Sequence, residues 1–224
     1  MTTRKNFLTA SLLTASLAPS ALLSVQGEAI AQSGQLPELQ FDQARFRRTI
    51  SRAAKHRHMF AAGSISGGAI VTAMFNTFYV YERTLKTPDS QVFMAGVLYH
   101  GLAVALALND RAWSELLLPA LSSFPPDFRN DVRTLGTAGG NPVLHGGANQ
   151  SLPGLVSRGS VFFVCRNALA GVAGTVAHVQ GRSPADVYAQ ITGSLVRGTM
   201  IVPTGVWAIH ALQEARFTYL QTSL

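Results

Sequence analysis

Short apolar runs alternate with longer stretches of helical periodicity from about residue 56 to the end of the chain. The runs are rich in β-branched and aromatic residues and predict strands at residues 57–62, 91–99, 160–165, 199–202 and 217–220, of which the run at 160–165 is expected to be buried. Between them, apolar positions recur at helical spacing, as in residues 70–84. Strands that alternate with helix-sized crossovers predict an α/β fold: a doubly wound, mainly parallel sheet between two helical layers in a single domain.

A glycine-rich turn, Gly63-Ser-Ile-Ser-Gly-Gly68, joins the first predicted strand to the first long helix. Gly67 and Gly68 could bind a phosphate at the helix N-terminus, where backbone N–H groups are free. The turn lacks the Lys-Ser/Thr of a P-loop and does not match G-x-G-x-x-G. We therefore favour an ordinary tight turn and keep the two glycines as candidate ligand-binding residues.

Residues 119–150 are the least regular part of the chain and are rich in proline and glycine. A connection of this length is typically a functional lid, an oligomer contact or a disordered segment. We interpret it as an insertion into an α/β domain that spans residues 56–224.

The N-terminal residues have the pattern of an export signal. They combine a basic start, an uncharged apolar run and an A-x-A cleavage pattern: Arg4 with Lys5, residues 7–25, and Ala29-Ile30-Ala31. Residues 3–8 resemble a twin-arginine signal with lysine in the second basic position. We expect residues 1–31 to be removed and the protein to be periplasmic or otherwise exported, with no stable membrane span. A transmembrane anchor is the alternative, and Pro19 argues against it.

Residues 32–55 form a polar, basic N-terminal arm, and the chain carries a formal charge of +7. Much of the excess is concentrated in six side chains: Arg45, Arg47, Arg48, Arg52, Lys55 and Arg57. They indicate either a patch for an anionic membrane or nucleic acid, or a solvated helix face or mobile arm. We favour the second interpretation, because export makes nucleic acid an unsuitable partner.

Cys165 is the only cysteine of the chain, so an intramolecular disulfide is excluded. It ends a predicted strand and is followed at once by a helix, the place where open α/β sheets bind ligands. The N-terminus of a helix also stabilises negative charge. We expect a thiol that solvent can reach at the carboxyl edge of the sheet. The alternative is a buried structural cysteine.

Several other residues are candidates for the same site. His100 follows a strand as Cys165 does, so it could take the thiol proton or stabilise the thiolate; the alternative is a hydrogen bond to a loop. Arg166 and Asn167 follow the cysteine, and Arg166 could stabilise an anion or face solvent. His145 could approach from the irregular segment. A metal site of Cys165, His100 and His145 would lack the usual ligand spacing, so no metal and no cofactor is expected.

Two common hydrolytic chemistries have no support in the sequence. There is no G-x-S-x-G nucleophile motif, and no pair of carboxylates is placed for glycoside hydrolysis.

The chain resembles the DsrE/DsrF-like sulfur-relay family over roughly residues 56–220, and its exported branch most of all. The similar segments are residues 70–85 with Asn76 and Tyr81-Glu82, Leu98-Tyr-His-Gly101, Val161-Phe-Phe-Val-Cys-Arg-Asn-Ala-Leu169, Ile201-Val-Pro-Thr-Gly-Val206 and Leu212-Gln-Glu-Ala-Arg-Phe-Thr-Tyr219. The resemblance implies a flavodoxin-like α/β/α fold and a trimeric or hexameric assembly. It also implies that Cys165 carries persulfide sulfur.

The sequence therefore predicts an exported DsrE-like protein that binds or carries sulfur on Cys165, with His100 near the thiolate. If it is an enzyme, it resembles a sulfurtransferase; its partners would be a small sulfur species or a relay protein. A homo-oligomer is also expected, because aromatic residues lie on more than one side of the first long helix. Two alternatives stay open: a non-enzymatic oligomeric binding module with an inert buried cysteine, and a Cys/His metal or redox site.

Overall fold

The computed structural model describes residues 41–134, 140–147 and 150–222. The predicted export signal at residues 1–31 and the start of the polar arm lie outside the described residues. Within them, the strands form one parallel sheet in the order β4-β3-β2-β1-β5. The strands are β1 His56–Ala62, β2 Val92–Leu98, β3 Val161–Cys165, β4 Thr199–Val202 and β5 Thr218–Gln221.

Helices cover both faces of this sheet. They are α1 Gln43–Ile50, α2 Ala69–Arg83, α3 Asp110–Ala112, α4 Pro126–Thr134, α5 Leu152–Ser157, α6 Arg166–Gln180, α7 Pro184–Gly193 and α8 Gly205–Glu214. Shorter helical segments connect them: 3₁₀ turns at Ser66–Gly68, Asp89–Gln91, Gly101–Ala107, Leu121–Ser123 and Pro142–Leu144, and a π-helical turn at Trp113–Leu117 that continues α3. The structure confirms the predicted fold class, a single-domain, three-layer α/β/α fold of flavodoxin-like type.

The strand order explains how the helices are divided between the two faces. The chain passes from β1 to β4 in one direction across the sheet, and right-handed crossovers put α2, α6 and α7 on one face. It then crosses back to β5, so α8 lies on the other face, together with α1. The loops that leave β3 and β4 therefore turn to opposite faces. A crevice at the carboxyl edge between such strands is where doubly wound sheets bind ligands.

Two hydrophobic cores result from this division. Phe162 and Val164 of β3 belong to the core under α2, α6 and α7, while Phe163 belongs to the core under α1 and α8. This alternation follows the period of two along a strand. Every residue of β2 is buried, as expected for a central strand of a parallel sheet, and its sequence is accordingly apolar throughout.

The described part of the predicted N-terminal arm packs onto the sheet. Phe46 of α1 is buried, and Asp42 caps the helix by accepting a hydrogen bond from the Arg45 N–H at 2.7 Å. The Arg52 guanidinium lies 3.9 Å from the centre of the Phe93 ring, and Arg57 lies 4.5 Å from that of Phe217. These two cations of the basic cluster therefore have packing roles, while the side chains of residues 45, 47 and 48 are exposed on α1.

The segment at residues 119–150 contains more structure than its composition predicts. Helix α4 buries Phe128 and Val132, which lie four residues apart on its inner face. Farther along, Asn141 is fully buried, and its amide Nδ2 donates to the carbonyl oxygens of Leu106 at 2.9 Å and Leu108 at 2.6 Å. These hydrogen bonds attach the segment to the domain core. Residues 135–139 and 148–149 lie outside the described residues.

Candidate functional site

Cys165 lies at the carboxyl end of β3 and is the N-cap residue of α6. Its backbone is extended, with φ −67° and ψ 120°, and its side chain makes no capping hydrogen bond to the helix. The first turn of α6 contains no acidic residue. The Cys165 side chain contacts the core under α6 and α7, and Cys165 is only 4 % exposed. Cys165 lies at the strand end, as predicted. The expectation that solvent reaches its thiol is wrong, because the residue is buried among the described residues.

Tyr188 of α7 and Arg166 of α6 lie beside this thiol. Burial raises the pKa of Tyr188; the charge of Arg166 and a hydrogen-bonding interaction with it oppose that shift, and the charge of Cys165 adds to it. The three groups are therefore close enough to interact electrostatically. Tyr188 is 7 % exposed, and its hydroxyl makes no hydrogen bond of ordinary geometry within the described residues. We call Cys165, Arg166 and Tyr188 the thiol cluster.

His100 is exposed at the same edge of the sheet. Leu98 of β2 is in register with Val164 of β3, so the residues that follow the two strands are neighbours at the carboxyl edge. His100 precedes the 3₁₀ turn Gly101–Ala107 as its N-cap residue, and its side chain does not cap that turn. The strand register therefore places His100 at the same edge of the sheet as the thiol cluster.

The turn from β4 into α8 packs against Tyr99, which follows β2 at the carboxyl edge of the sheet. A Cβ atom added at Gly205, the first residue of α8, would lie 2.2 Å from the Cβ of Tyr99 and 2.4 Å from its Cα. Any larger residue at position 205 would push the turn away from the carboxyl end of β2. The glycine in Ile201-Val-Pro-Thr-Gly-Val206 is thus required by close packing beside the site.

His145 belongs to a different pair. Its Nε2 lies 2.9 Å from Oδ2 of Asp110, and both side chains are largely exposed. Burial alone would raise the pKa of Asp110, but hydrogen bonds from His145 and from the Asn141 N–H lower it. Among the described residues, which include His100, His145 and Cys165, no three His, Cys, Asp or Glu side chains are arranged to hold a metal ion. The metal site of these three residues is therefore not formed.

Two backbone N–H groups of the glycine turn before α2 already donate hydrogen bonds to other groups of the protein. Ser66, Gly67 and Gly68 have φ angles of 42°, 61° and 76°, which explains the glycines. The Ser66 N–H donates to Oδ2 of Asp131 at 2.9 Å, and the Gly68 N–H donates to the Ile65 carbonyl at 2.8 Å. A carboxylate at this loop would repel a phosphate, so the geometry favours the tight-turn interpretation of Gly67 and Gly68.

Sequence reasoning found part of this site and missed one member. Asn167 is exposed in the first turn of α6. The described structure gives no contact that would assign its side chain to the thiol cluster. Tyr188 was missed, because it is 23 residues from the cysteine and lies on the apolar side of a helix between buried Val187 and Ile191. The signal that could have found it is a hydroxyl-bearing aromatic residue on an otherwise aliphatic helix face.

None of the helices in the described part of the chain is long and apolar enough to cross a membrane. No protein-family model matches the sequence, and no curated protein matches it. The fold is similar to that of a solved structure of a protein of unknown function, MTH1491 from Methanobacterium thermoautotrophicum. The two share 16 % sequence identity with a TM-score of 0.38, over 74 % of this chain and 98 % of the other. Neither the fold nor the function rests on this similarity.

Proposed function

We propose that the protein binds or carries a sulfur species on Cys165 as a persulfide. The observation that carries this proposal is the thiol cluster: a thiol at the N-terminus of a 15-residue helix, with a guanidinium and a buried phenol beside it. An anionic sulfur is stabilised by a helix N-terminus, by a cation and by an O–H donor, and the cluster supplies all three. A structural thiol needs none of them.

The chemistry requires no oxidant beyond the sulfur donor. The Cys165 thiolate attacks a sulfur atom of an inorganic polysulfide and forms a new S–S bond. One S–S bond of the polysulfide breaks, and its electron pair leaves with the shortened polysulfide. Cys165 then holds a persulfide anion, which Arg166 and the Tyr188 hydroxyl stabilise. Transfer of the outer sulfur to a nucleophile of a relay partner restores the thiolate, so the protein acts as a carrier.

The wider context of this proposal comes from the sequence. The resemblance to the DsrE/DsrF-like family, the trimeric or hexameric assembly and the export by residues 1–31 are parts of the proposal. Exposed Tyr79 and Val80 on α2, with Leu85 just beyond its end, support an assembly contact, because apolar side chains grouped on a surface commonly mark interfaces. Light scattering on the chain from residue 32 onward should give several times the protomer mass, and a strictly monomeric mass would contradict the assembly.

The test of sulfur binding is intact mass after incubation of the folded protein with polysulfide. We expect an adduct of one sulfur atom that dithiothreitol removes, and no adduct on Cys165→Ser. A second sample denatured before incubation shows whether the thiol is reactive in principle. An adduct that forms only after denaturation would overturn the carrier function.

A second candidate function has its own observation. Because Cys165 is only 4 % exposed, the protein could be a non-enzymatic oligomeric binding module in which the thiol is an inert core residue. Iodoacetamide at neutral pH separates the two functions. Alkylation of the native protein supports the carrier, whereas alkylation restricted to unfolded protein supports the module.

A further inference from the structure

The outer edge of β4 borders an open groove. Among the described residues, β4 pairs with β3 on one side and with no strand on the other. The groove has a volume of about 480 Å³, and it runs between the start of α1 and the segment from Thr192 to Ile201. This volume lies within the range of roughly 300–1,000 Å³ that is typical of ligand clefts.

The backbone of β4 presents hydrogen-bonding groups to this groove. The Phe162 N–H donates to the Gly198 carbonyl at 3.1 Å, so alternate residues of β4 point their backbone groups towards β3. The intervening residues, Thr199 and Ile201, point theirs outward. The Thr199 N–H is bonded to Val196 in the preceding turn, which leaves the Ile201 N–H and two carbonyls facing the groove. Such an edge is a template for an added strand.

The walls of the groove are held in place by other parts of the fold. The Val196 N–H donates to the Ala107 carbonyl at 2.9 Å, and the Asn109 N–H donates to the Ser194 carbonyl at 2.9 Å. On the other side, the carboxylate of Asp42 caps α1 through the Arg45 N–H. A site that is already ordered loses little conformational entropy when a ligand binds.

The charges at the rim select the ligand. The side chains of Arg45 and Arg197 line the groove and are exposed. Among the described residues that line it, Asp42 is the one acidic side chain, and it already accepts a hydrogen bond. A second copy of the chain paired edge to edge would bring like charges together, which costs affinity. We propose that the β4 groove binds an acidic, extended peptide segment of another protein, which joins the sheet as an additional strand beside β4.

Fluorescence anisotropy with a defined probe tests this inference on the full chain. The probe is a fluorescein-labelled hexapeptide of alternating glutamate and valine, and its control replaces glutamate with lysine. We expect the acidic peptide to bind more tightly than the lysine-containing control, and we expect its affinity to fall as the salt concentration rises. Arg45→Glu and Arg197→Glu should each weaken binding about fivefold or more. Arg182→Glu, at the opposite end of α7, is the matched control and should bind as the wild type does.

Four further results would overturn the inference. Equal binding of the acidic and basic peptides, or an equal loss in Arg182→Glu, would exclude charge selection by the rim. Undiminished binding of an acidic peptide methylated on alternate backbone nitrogens, in both registers, would exclude strand addition. A mass by light scattering that falls in Arg45→Glu, without binding of the acidic peptide, would assign the edge to self-association. Cys165→Ser should bind the peptide normally, so the groove is tested independently of sulfur binding.

Discussion

Two polar clusters lie on the same face of the sheet and differ in how their hydrogen bonds are satisfied. The thiol cluster lies at the carboxyl end of β3. An imidazole cluster lies near the amino end of β1 and consists of His56, His58, Tyr81 and Thr218. Within it, Nδ1 of His58 lies 2.6 Å from the Thr218 hydroxyl, and its Nε2 lies 2.8 Å from the Tyr81 hydroxyl. The ring of His56 stacks near that of Tyr81, with centroids 4.6 Å apart.

The two clusters teach different lessons about polar groups: the imidazole cluster is half-buried to exposed, whereas Tyr188 and Cys165 of the thiol cluster are buried. The Thr218 hydroxyl donates to the Arg57 carbonyl at 3.3 Å, so its oxygen accepts from Nδ1–H of His58 while Nε2 accepts from Tyr81. Both ring nitrogens of His58 and the hydroxyls of Tyr81 and Thr218 are therefore hydrogen-bonded, and this network links β5 and α2 to β1. The Tyr188 hydroxyl, in contrast, is buried without a hydrogen bond of ordinary geometry. A satisfied network stabilises a fold, whereas an unsatisfied hydroxyl beside a thiol is suited to a bound anion.

Removal of His58 should have the largest effect on stability. His58→Ala leaves the Tyr81 and Thr218 hydroxyls without their partner, and we expect the free energy of unfolding to fall by about 2 kcal/mol. His56→Ala is the matched control, since His56 is on the same face of β1 and contributes a ring contact; it should cost about 0.5 kcal/mol. Urea unfolding followed by circular dichroism measures both. Equal losses in the two variants would mean that the network is not the source of the stability.

Acidification should disrupt the same network to a smaller extent. Burial lowers the pKa of His58, and the charge of His56 lowers it further. Since the folded state favours neutral imidazole, its stabilising contribution is complete above the ordinary histidine pKa of about 6.5 and is lost as the pH falls from there towards the lowered value. Unfolding midpoints measured from pH 7.5 to 5 should therefore decrease. The decrease should be smaller in His58→Ala than in the wild type. It should equal that of the wild type in His210→Gln, which replaces an exposed histidine on α8. A decrease of the same size in His58→Ala would assign it to other groups.

Tyr188→Phe should separate function from stability in the thiol cluster. The variant removes only the hydroxyl, whose interaction with Arg166 falls outside ordinary hydrogen-bond geometry, so the free energy of unfolding should change by no more than about 0.5 kcal/mol. The rate at which polysulfide loads Cys165 should fall about fivefold, because the persulfide anion loses an O–H donor. Time-resolved intact mass measures the loading. A clear loss of stability with an unchanged loading rate would mean that Tyr188, like Tyr81, stabilises the fold and does not act in sulfur loading.

His100→Ala should have the smallest effect. The side chain is exposed, so we expect stability to stay within about 0.5 kcal/mol of the wild type. If His100 takes the thiol proton, the loading rate at neutral pH should fall about threefold. His178→Ala, an exposed histidine near the far end of α6, is the control and should load at the wild-type rate. Identical rates in all three proteins would remove His100 from the mechanism.

The sequence was sufficient for the part of the site that local pattern determines. Apolar runs of fixed length locate strand ends, and parallel strands bring their carboxyl ends to one edge, so the positions of Cys165 and His100 followed directly. The partners of His145 and Ser66 could not be predicted in the same way. Asp110 is 35 residues from His145, and Asp131 is 65 residues from Ser66. Contacts at such separations depend on how the segments pack, which periodicity does not report.

The burial of Cys165 shows a second limit of sequence reasoning. The end of a strand is open to solvent in an isolated βα unit, and that geometry led to the expectation of an exposed thiol. In the folded chain, α7 packs against α6, and Tyr188 of α7 joins Cys165 in the same buried core. Helix α4 was missed for a related reason: the proline-rich composition of residues 119–150 favours irregular structure, but Pro126 is a suitable first residue of a helix. Proline marks the start of an element as readily as its end.

The pairing of β1 with β5 governs when the sheet can be completed during synthesis. β1 precedes β5 in the chain, and their register, in which His58 is opposite Thr218, joins residues 160 positions apart. Until β5 emerges from the ribosome, one side of β1 keeps unpaired backbone groups, and the imidazole network lacks the Thr218 hydroxyl. The nascent chain therefore exposes an open strand edge while the residues between the two strands are synthesised. The described sheet is complete only once residues 218–221 pair with β1.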